Sequence, residues 1–305
     1  MSGVPSLRSR ALSAALTAAG RRRRWASAEA VRARVAESAR RPASHLPPRS
    51  LGRVAEVTRT IVGAWPVYDV SPRDREPAAR VLYLHGGGFI DELIRPHWSL
   101  VRNLAEAGAH VVVPAYTLAP RGTADRTVPV AADLLSGLIE SGGPGETVLM
   151  GDSAGAGLAL AAAQKLRDRN GVQPTRIVLL SPWLDLSVSH PDQPEIETRD
   201  PLLARAGLRE AGRLYAGTLA TDDPRVSPLF GSLAGLAPLT VFTSSRDVLS
   251  PDSRELLTRA RLAGTPAELI EADGQPHCYP LLPTPEGRAA RQRITGLLDG
   301  LPATG

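Results

Sequence analysis

One cysteine in 305 residues, Cys278, leaves the chain no way to form an internal disulfide. Its stability must come from a packed core, and a reducing compartment, the cytoplasm, is the expected location. Long hydrophobic runs are missing too: no stretch approaches the roughly 18 apolar residues of a membrane-spanning helix. The weakly apolar segment 11–19 follows Arg8 and Arg10 as the core of a secretory leader would. Four arginines, Arg21–Arg24, then stand where a small-residue cleavage site belongs. Acidic residues are scarce in residues 1–53, where 12 arginines face only Glu29 and Glu37. Such a run can attract nucleic acid or acidic lipid, but no folded nucleic-acid-binding motif accompanies it. The expectation is a solvated end or face of a peripheral helix, with no nucleic-acid partner. Neither a Gly-x-Gly-x-x-Gly turn nor a Gly-Lys-Ser/Thr loop occurs, which removes the common nucleotide cradles. The closing LPATG matches a sortase recognition pentapeptide without the hydrophobic segment and basic tail of a wall-sorting signal, and is expected to be chance or a cloning remnant.

What remains is ordinary for a globular protein: 43% hydrophobic and 22% charged residues, enough for one domain with an accessory element. Residues 8–22 and 26–40 read as two short helices, parted near Trp25 and Ser27; the second places Ala28, Val31, Val35 and Ala39 close to one face. Strand-like alternation over 54–62 and 65–70 suggests a hairpin across Gly63 and Ala64. Strands and helices then alternate: strands at 81–84, 110–114, 147–150, 177–180, 240–243 and 267–270, helices at 98–106, 130–140, 153–169, 252–262 and 288–298. That rhythm predicts an α/β fold with a mostly parallel sheet covered on both faces. Residues 187–234 interrupt it with proline, charge and one helix near 203–218, as an insertion over the sheet's carboxyl edge would. The division expected is 1–50 as the first part of a helical cap, 51–186 and 235–305 as the core, and 187–234 as the cap insertion.

Two glycine-rich runs carry the chemistry. Gly151-Asp152-Ser153-Ala154-Gly155 ends one strand and opens a helix, the pattern of a serine nucleophile on a sharp elbow, with the Ala154 amide beside it at a helix N-terminus. His85-Gly86-Gly87-Gly88-Phe89 follows another strand. Three consecutive glycines are costly to order, so a required backbone path is expected, with Gly87 and Gly88 turning amides toward a developing oxyanion. His85 is expected to organise that loop. Downstream, in the order serine, acid, histidine, come Asp247 and His277. His277 would accept the Ser153 proton and Asp247 would fix its tautomer. Asp252 competes for the acid role, its place in the next helix suiting capping or first-turn stabilisation. Asp185, in Pro182-Trp183-Leu184-Asp185, occurs too early and is expected to support the site or line it. Asp152 adjoins the nucleophile but points another way, and Cys278 is expected to be a packed thiol.

With these residues in place, the chain resembles the hormone-sensitive-lipase-like family of α/β hydrolases across about residues 54–300. The likeness rests on His85-Gly86-Gly87-Gly88-Phe89, Gly151-Asp152-Ser153-Ala154-Gly155, Pro182-Trp183-Leu184-Asp185 and the run Asp223-Pro224-Arg225-Val226-Ser227-Pro228-Leu229, extended through Asp247 and His277. The resemblance implies an α/β-hydrolase fold with a helical cap, a triad of Ser153, Asp247 and His277, and an oxyanion hole around Gly87, Gly88 and Ala154. His85, Gly86, Phe89, Asp152, Trp183 and Asp185 would support or line the site, and no metal or organic cofactor is implied. The segment Ala115-Tyr116-Thr117-Leu118-Ala119-Pro120-Arg121 departs from the family's Asp-Tyr-Arg-Leu-Ala-Pro-Glu at three charged positions, which weakens transfer of a detailed substrate preference. The activity expected is hydrolysis of small or medium acyl esters through an acyl-enzyme. Amide deacetylation or lactone opening by the same residues is the alternative, and a noncatalytic small-molecule-binding protein a more distant one. The partner expected is a small ester; a homodimer is compatible with the sequence.

Overall fold

The computed structural model describes residues 4–142 and 147–299; the terminal LPATG lies outside them. Eight described strands form one sheet in the order β1-β2-β4-β3-β5-β6-β7-β8. They are β1 (Ala55–Val62), β2 (Trp65–Pro72), β3 (Ala79–Leu84), β4 (Ala109–Pro114), β5 (Thr147–Asp152), β6 (Arg176–Leu180), β7 (Leu239–Ser244) and β8 (Ala267–Ala272). The hairpin β1–β2 and the pair β2–β4 are antiparallel, and all other pairings are parallel. The expected hairpin and parallel core are therefore present, with most strands a residue or two longer than the periodicity suggested.

Side-chain alternation sorts the core. Leu82, Leu84, Leu149, Ile177, Leu179 and Val241 pack on one face, while Val81, Tyr83, Val148, Met150, Val178 and Leu180 pack on the other. A parallel sheet buried on both faces reads as continuous hydrophobic runs, as these strands do. The first face is covered by α4 (Ala124–Gly142), α5 (Ala154–Asp168) and α8 (Ser250–Leu262), the second by α3 (Arg95–Glu106) and α9 (Pro285–Asp299). Among the described residues no helix is long and apolar enough to cross a membrane.

The early and middle segments pack together beyond the sheet. Helix α1 spans Leu7–Ala18 and α2 Ala28–Arg40; in the insertion, α6 spans Gln193–Glu197 and α7 Arg205–Ala216. Helix α2 lies on α7, and buried Trp25 and Val31 share the first core with Leu208 and Ala211. Three expectations change in detail. The helix expected over 8–22 stops at Ala18, because Gly20 turns left-handed (φ 62°) and Arg21–Trp25 follow as a 3-10 helix. The helix expected from 130 begins at Ala124 and carries Pro129 within it; its first turn closes when the amides of Arg126 and Thr127 bond the Thr123 carbonyl. The short α6 was not anticipated.

The order of strands places every chemical candidate on one side. The loops after β3, β5, β7 and β8 leave the carboxyl edge of parallel strands, where open α/β sheets gather their sites.

Candidate active site

Ser153 sits between the end of β5 and the start of α5 with φ 51° and ψ −120°, a conformation that side chains rarely adopt. Its amide donates to the Leu180 carbonyl at 2.8 Å, and its own carbonyl accepts from the Trp183 amide at 3.0 Å. The elbow needs glycine at Gly155: a Cβ there would lie 2.2 Å from the Leu84 carbonyl oxygen and 2.3 Å from that of His85. The helix thus presses on the loop that follows β3, setting the two glycine-rich runs side by side.

The Ser153 Oγ lies 3.0 Å from His277 Nε2, and His277 Nδ1 lies 2.8 Å from Asp247 Oδ2. The other Asp247 oxygen accepts from the Leu249 amide at 3.0 Å, and the carboxylate is fully buried. Burial opposes a charge on His277, but Asp247, with further help from Cys278, raises its proton affinity well above the ordinary histidine range. A hydroxyl, an imidazole and a carboxylate in this line can pass a proton away from an attacking oxygen.

Asp252 is not in that line. It lies inside the first turn of α8 and does not cap it; the cap position is Leu249. Its carboxyl receives the Gln193 side-chain amide at 3.2 and 3.3 Å. Burial, then Asp185 and Asp247, raise Asp252 well above the usual carboxyl range. Asp185 accepts from the amide and hydroxyl of both Ser187 and Ser189 and so fixes the start of the insertion. Cys278 is a packed thiol, as expected, yet its Sγ lies 3.3 Å from His277 Nε2. Its backbone is left-handed (φ 53°), and burial pushes the thiol up to about 11.

The loop after β3 is built around Asp152. Its Oδ1 accepts from the Gly86 amide at 2.9 Å and the Tyr83 hydroxyl at 2.6 Å. His97 Nδ1 accepts from the Ile94 amide at 3.1 Å, so its proton sits on Nε2, 3.5 Å from Asp152 Oδ2. Burial would raise Asp152, but His97, Tyr83 and the Gly86 amide outweigh it and hold the carboxyl at about 2. Asp152 therefore serves the loop and not the base. The amides of Gly87 and Gly88 donate to no acceptor among the described residues, and Ala154 opens α5 beside them. His85 is buried, stacked on Tyr116 at 4.3 Å, and bonded through Nδ1 to the Gly86 carbonyl at 2.7 Å. Burial, then His97, lower it to about 3, so it is neutral and structural at working pH. Phe89 stacks on Tyr215 at 3.6 Å and lies 5.9 Å from Trp183; with 1% and 0% exposure, Phe89 and Trp183 back the site from behind.

Several contributors escaped sequence reasoning. Trp25 lies directly over Gly88, where a Cβ would come within 2.3 Å of its ring. The Arg34 guanidinium covers Trp25 at 4.7 Å and, with Arg24, pairs with Asp91 just past the glycines. Arg22 pairs with Glu197 and Arg32 with Glu210, so the basic segment binds residues 193–216 and the glycine loop where a merely solvated face was expected. Tyr83, His97 and Tyr116 were also missed; only the short spacing of Tyr83 from His85 hinted at a shared role. Among the described residues, no group of three or more His, Cys, Asp or Glu is arranged to hold a metal ion.

Comparison with known proteins supports this picture at the level of the family. A model of the alpha/beta hydrolase fold matches residues 81–281. The acetyl-hydrolase of Streptomyces hygroscopicus is 38% identical over 225 residues, covering 71% of this chain and 74% of that protein. A triacylglycerol lipase of Mycobacterium tuberculosis is 38% identical over 209 residues, covering 68% of this chain but only 43% of that protein. A crystal structure described as hormone-sensitive lipase from a metagenome library superposes with a TM-score of 0.82 at 26% identity, covering 96% of this chain and 99% of that one. With the sheet, the elbow and the glycine loop all in agreement, the chain belongs to the hormone-sensitive-lipase-like family of α/β hydrolases.

Proposed function

We propose that this protein is a serine carboxylesterase that cleaves small or medium acyl esters, with Ser153 as nucleophile, His277 as base and Asp247 as its orienting acid. The observation that carries the assignment is the continuous hydrogen-bonded line from Ser153 through His277 to Asp247, beside the unengaged amides of Gly87 and Gly88. His277 Nε2 takes the hydroxyl proton as Ser153 Oγ attacks the acyl carbon. The amides of Gly87, Gly88 and Ala154 receive the negative charge of the tetrahedral intermediate. The imidazolium returns the proton to the leaving alcohol, and water activated by the same nitrogen releases the acid. Residues 1–50 and 187–234 form the cap over this site, a reading supported by the packing of α2 on α7 and of Trp25 on Gly88. A cytoplasmic location and a homodimer belong to the same proposal, and light scattering of purified protein tests the second.

A panel of p-nitrophenyl esters from acetate to decanoate is the test. Turnover without added metal is expected, with a maximum at short or medium chains and none in Ser153→Ala. Equal rates for wild type and Ser153→Ala would refute the assignment. Removal of an acetyl group from an amide is the second reading, favoured by the likeness to a protein named acetyl-hydrolase; it predicts release of acetate from N-acetylated substrates at rates comparable with esters.

A further inference from the structure

The loop that carries Asp247 is held from the insertion as well as from the sheet. Asp200, between α6 and α7, is 3% exposed. Its Oδ1 accepts from the amides of Leu202 at 2.8 Å and Leu203 at 3.0 Å, and its Oδ2 accepts from the Val248 amide at 2.9 Å. Asp247 itself takes the next amide, Leu249. Two buried carboxyls from distant parts of the chain therefore share consecutive amides of one turn. The contact is reciprocal. Arg246 donates through Nε and Nη2 to the Arg199 carbonyl at 3.1 and 2.9 Å, and its Nη1 reaches Ser13 Oγ at 3.0 Å.

We propose that Asp200 is a positioning residue for the triad: through the Val248 amide it fixes the turn bearing Asp247, and its charge adds to the negative field that His277 experiences. The inference rests on the assignment of Asp247 and His277 proposed above. Among the described residues, Asp200 has no direct counterion. Arg246 spends its donors on the Arg199 carbonyl and Ser13, Arg199 pairs with Glu195, and Glu197 pairs with Arg22. Asp252 adds a further acidic group near Asp247 and itself faces Asp185, and Cys278 adjoins His277. Burial, then Asp247, raise the Asp200 carboxyl to about 6, so at neutral pH it is ionised and its three amides hold that form. The only group in this cluster that gains positive charge during turnover is His277, and a second carboxylate behind Asp247 favours that gain. Because Asp200 belongs to the insertion, seating of that segment sets the strength of the base.

The test uses the full-length chain carrying Asp200→Asn, which keeps size and one acceptor but removes the charge. Asp200→Ser, which retains an acceptor for the Leu202 and Leu203 amides, serves if the asparagine variant does not fold. In both, the acid limb of kcat/KM is expected to move to lower pH by about half a unit, with a plateau about 3- to 10-fold below wild type. Asp200→Glu, which keeps the charge, is expected to leave the midpoint in place. The His277 imidazole is also titrated by NMR in a Ser153→Ala background, where the same downward shift is expected. That readout requires no turnover, so an inactive wild type would count against the esterase assignment while the titration still judged Asp200. A midpoint unmoved by Asn and Ser, with only the melting temperature lowered, reduces Asp200 to a structural tie and overturns the proposal. A Glu variant that shifts as far as Asn overturns it equally.

Discussion

Asp247 and Asp252 stand five residues apart on one turn and its helix, both buried, yet they should respond to the same substitution in opposite ways. Asp247→Asn keeps the shape but presents the wrong group to His277 Nδ1. Its kcat is expected to fall about 10³- to 10⁴-fold with little change in KM, measured on p-nitrophenyl butyrate. Asp252 has its folded proton affinity raised by burial and by Asp185 and Asp247. Such a carboxyl contributes its full stability below the unfolded value near 3.8 and loses it as pH climbs through the raised folded value. Asp252→Asn cannot ionise. Its melting temperature should match wild type below about pH 4 and exceed it by a margin that grows as pH rises from there toward the raised folded value; a constant difference across pH would refute this. Cys278 gives a third expectation at this scale. Its thiol is buried and pushed up to about 11, so iodoacetamide should react slowly at neutral pH, but an adduct beside His277 Nε2 should abolish turnover. Activity that persists after complete alkylation, verified by mass spectrometry, would show that the base tolerates displacement.

Residues 5–34 touch the loops after β3, β7 and β8. Pro5 packs on Gly274 ahead of His277, Ser6 and Ser9 bond Glu286 at the start of α9, and Ser13 bonds Arg246 beside Asp247. Trp25 covers Gly88, and Arg24 and Arg34 hold Asp91. Deleting residues 1–40 should therefore leave much of the sheet folded, expose apolar surface to a hydrophobic dye, and lower kcat/KM most for medium acyl chains. Trp25→Ala should cost about 3–5 kcal/mol if the site does not collapse, read by urea unfolding, and should depress activity toward all chain lengths. An unchanged chain-length profile after deletion would mark the segment as dispensable. These contacts also show where the sequence stops being legible. The elbow, the glycine loop and the order of Ser153, Asp247 and His277 could be read because each is written in a few adjacent residues whose spacing dictates local backbone. Trp25 on Gly88, His97 beside Asp152 and Asp200 on Val248 join residues far apart in the chain, and periodicity carries no trace of which side chains a topology brings together. Trp25 read as part of the break between two helices; it ends the 3-10 helix that joins them, and its burial depends on a surface provided by distant loops.

For the whole molecule, the parallel strands β3, β5, β7 and β8 carry the glycine loop, Ser153, Asp247 and His277 to one edge, where the proposed reaction uses them as oxyanion donors, nucleophile, acid and base. The pH response then follows from how that edge is buried. His277 must be neutral to accept a proton, and its affinity is raised above the ordinary value near 6.5, so activity should be lost from the alkaline side of that value downward and be greatest at mildly alkaline pH. A kcat/KM profile with its acid midpoint below 6 would contradict the field described here. Asp152, held at about 2, works in the other sense: its contribution to stability is complete above about 4 and disappears as pH falls through 2.

The twisted backbone of Ser153 has one further consequence. With φ 51° and ψ −120°, any residue bearing a Cβ stores about 1–3 kcal/mol of strain there, more than the roughly 0.5–1 kcal/mol that glycine's extra freedom in the unfolded chain costs. Of two inactive variants, Ser153→Gly should therefore melt higher than Ser153→Ala, and a calorimetric scan would decide it. A population enriched for heat resistance alone would drift toward glycine at this position. Only selection on turnover keeps a hydroxyl where the backbone resists it.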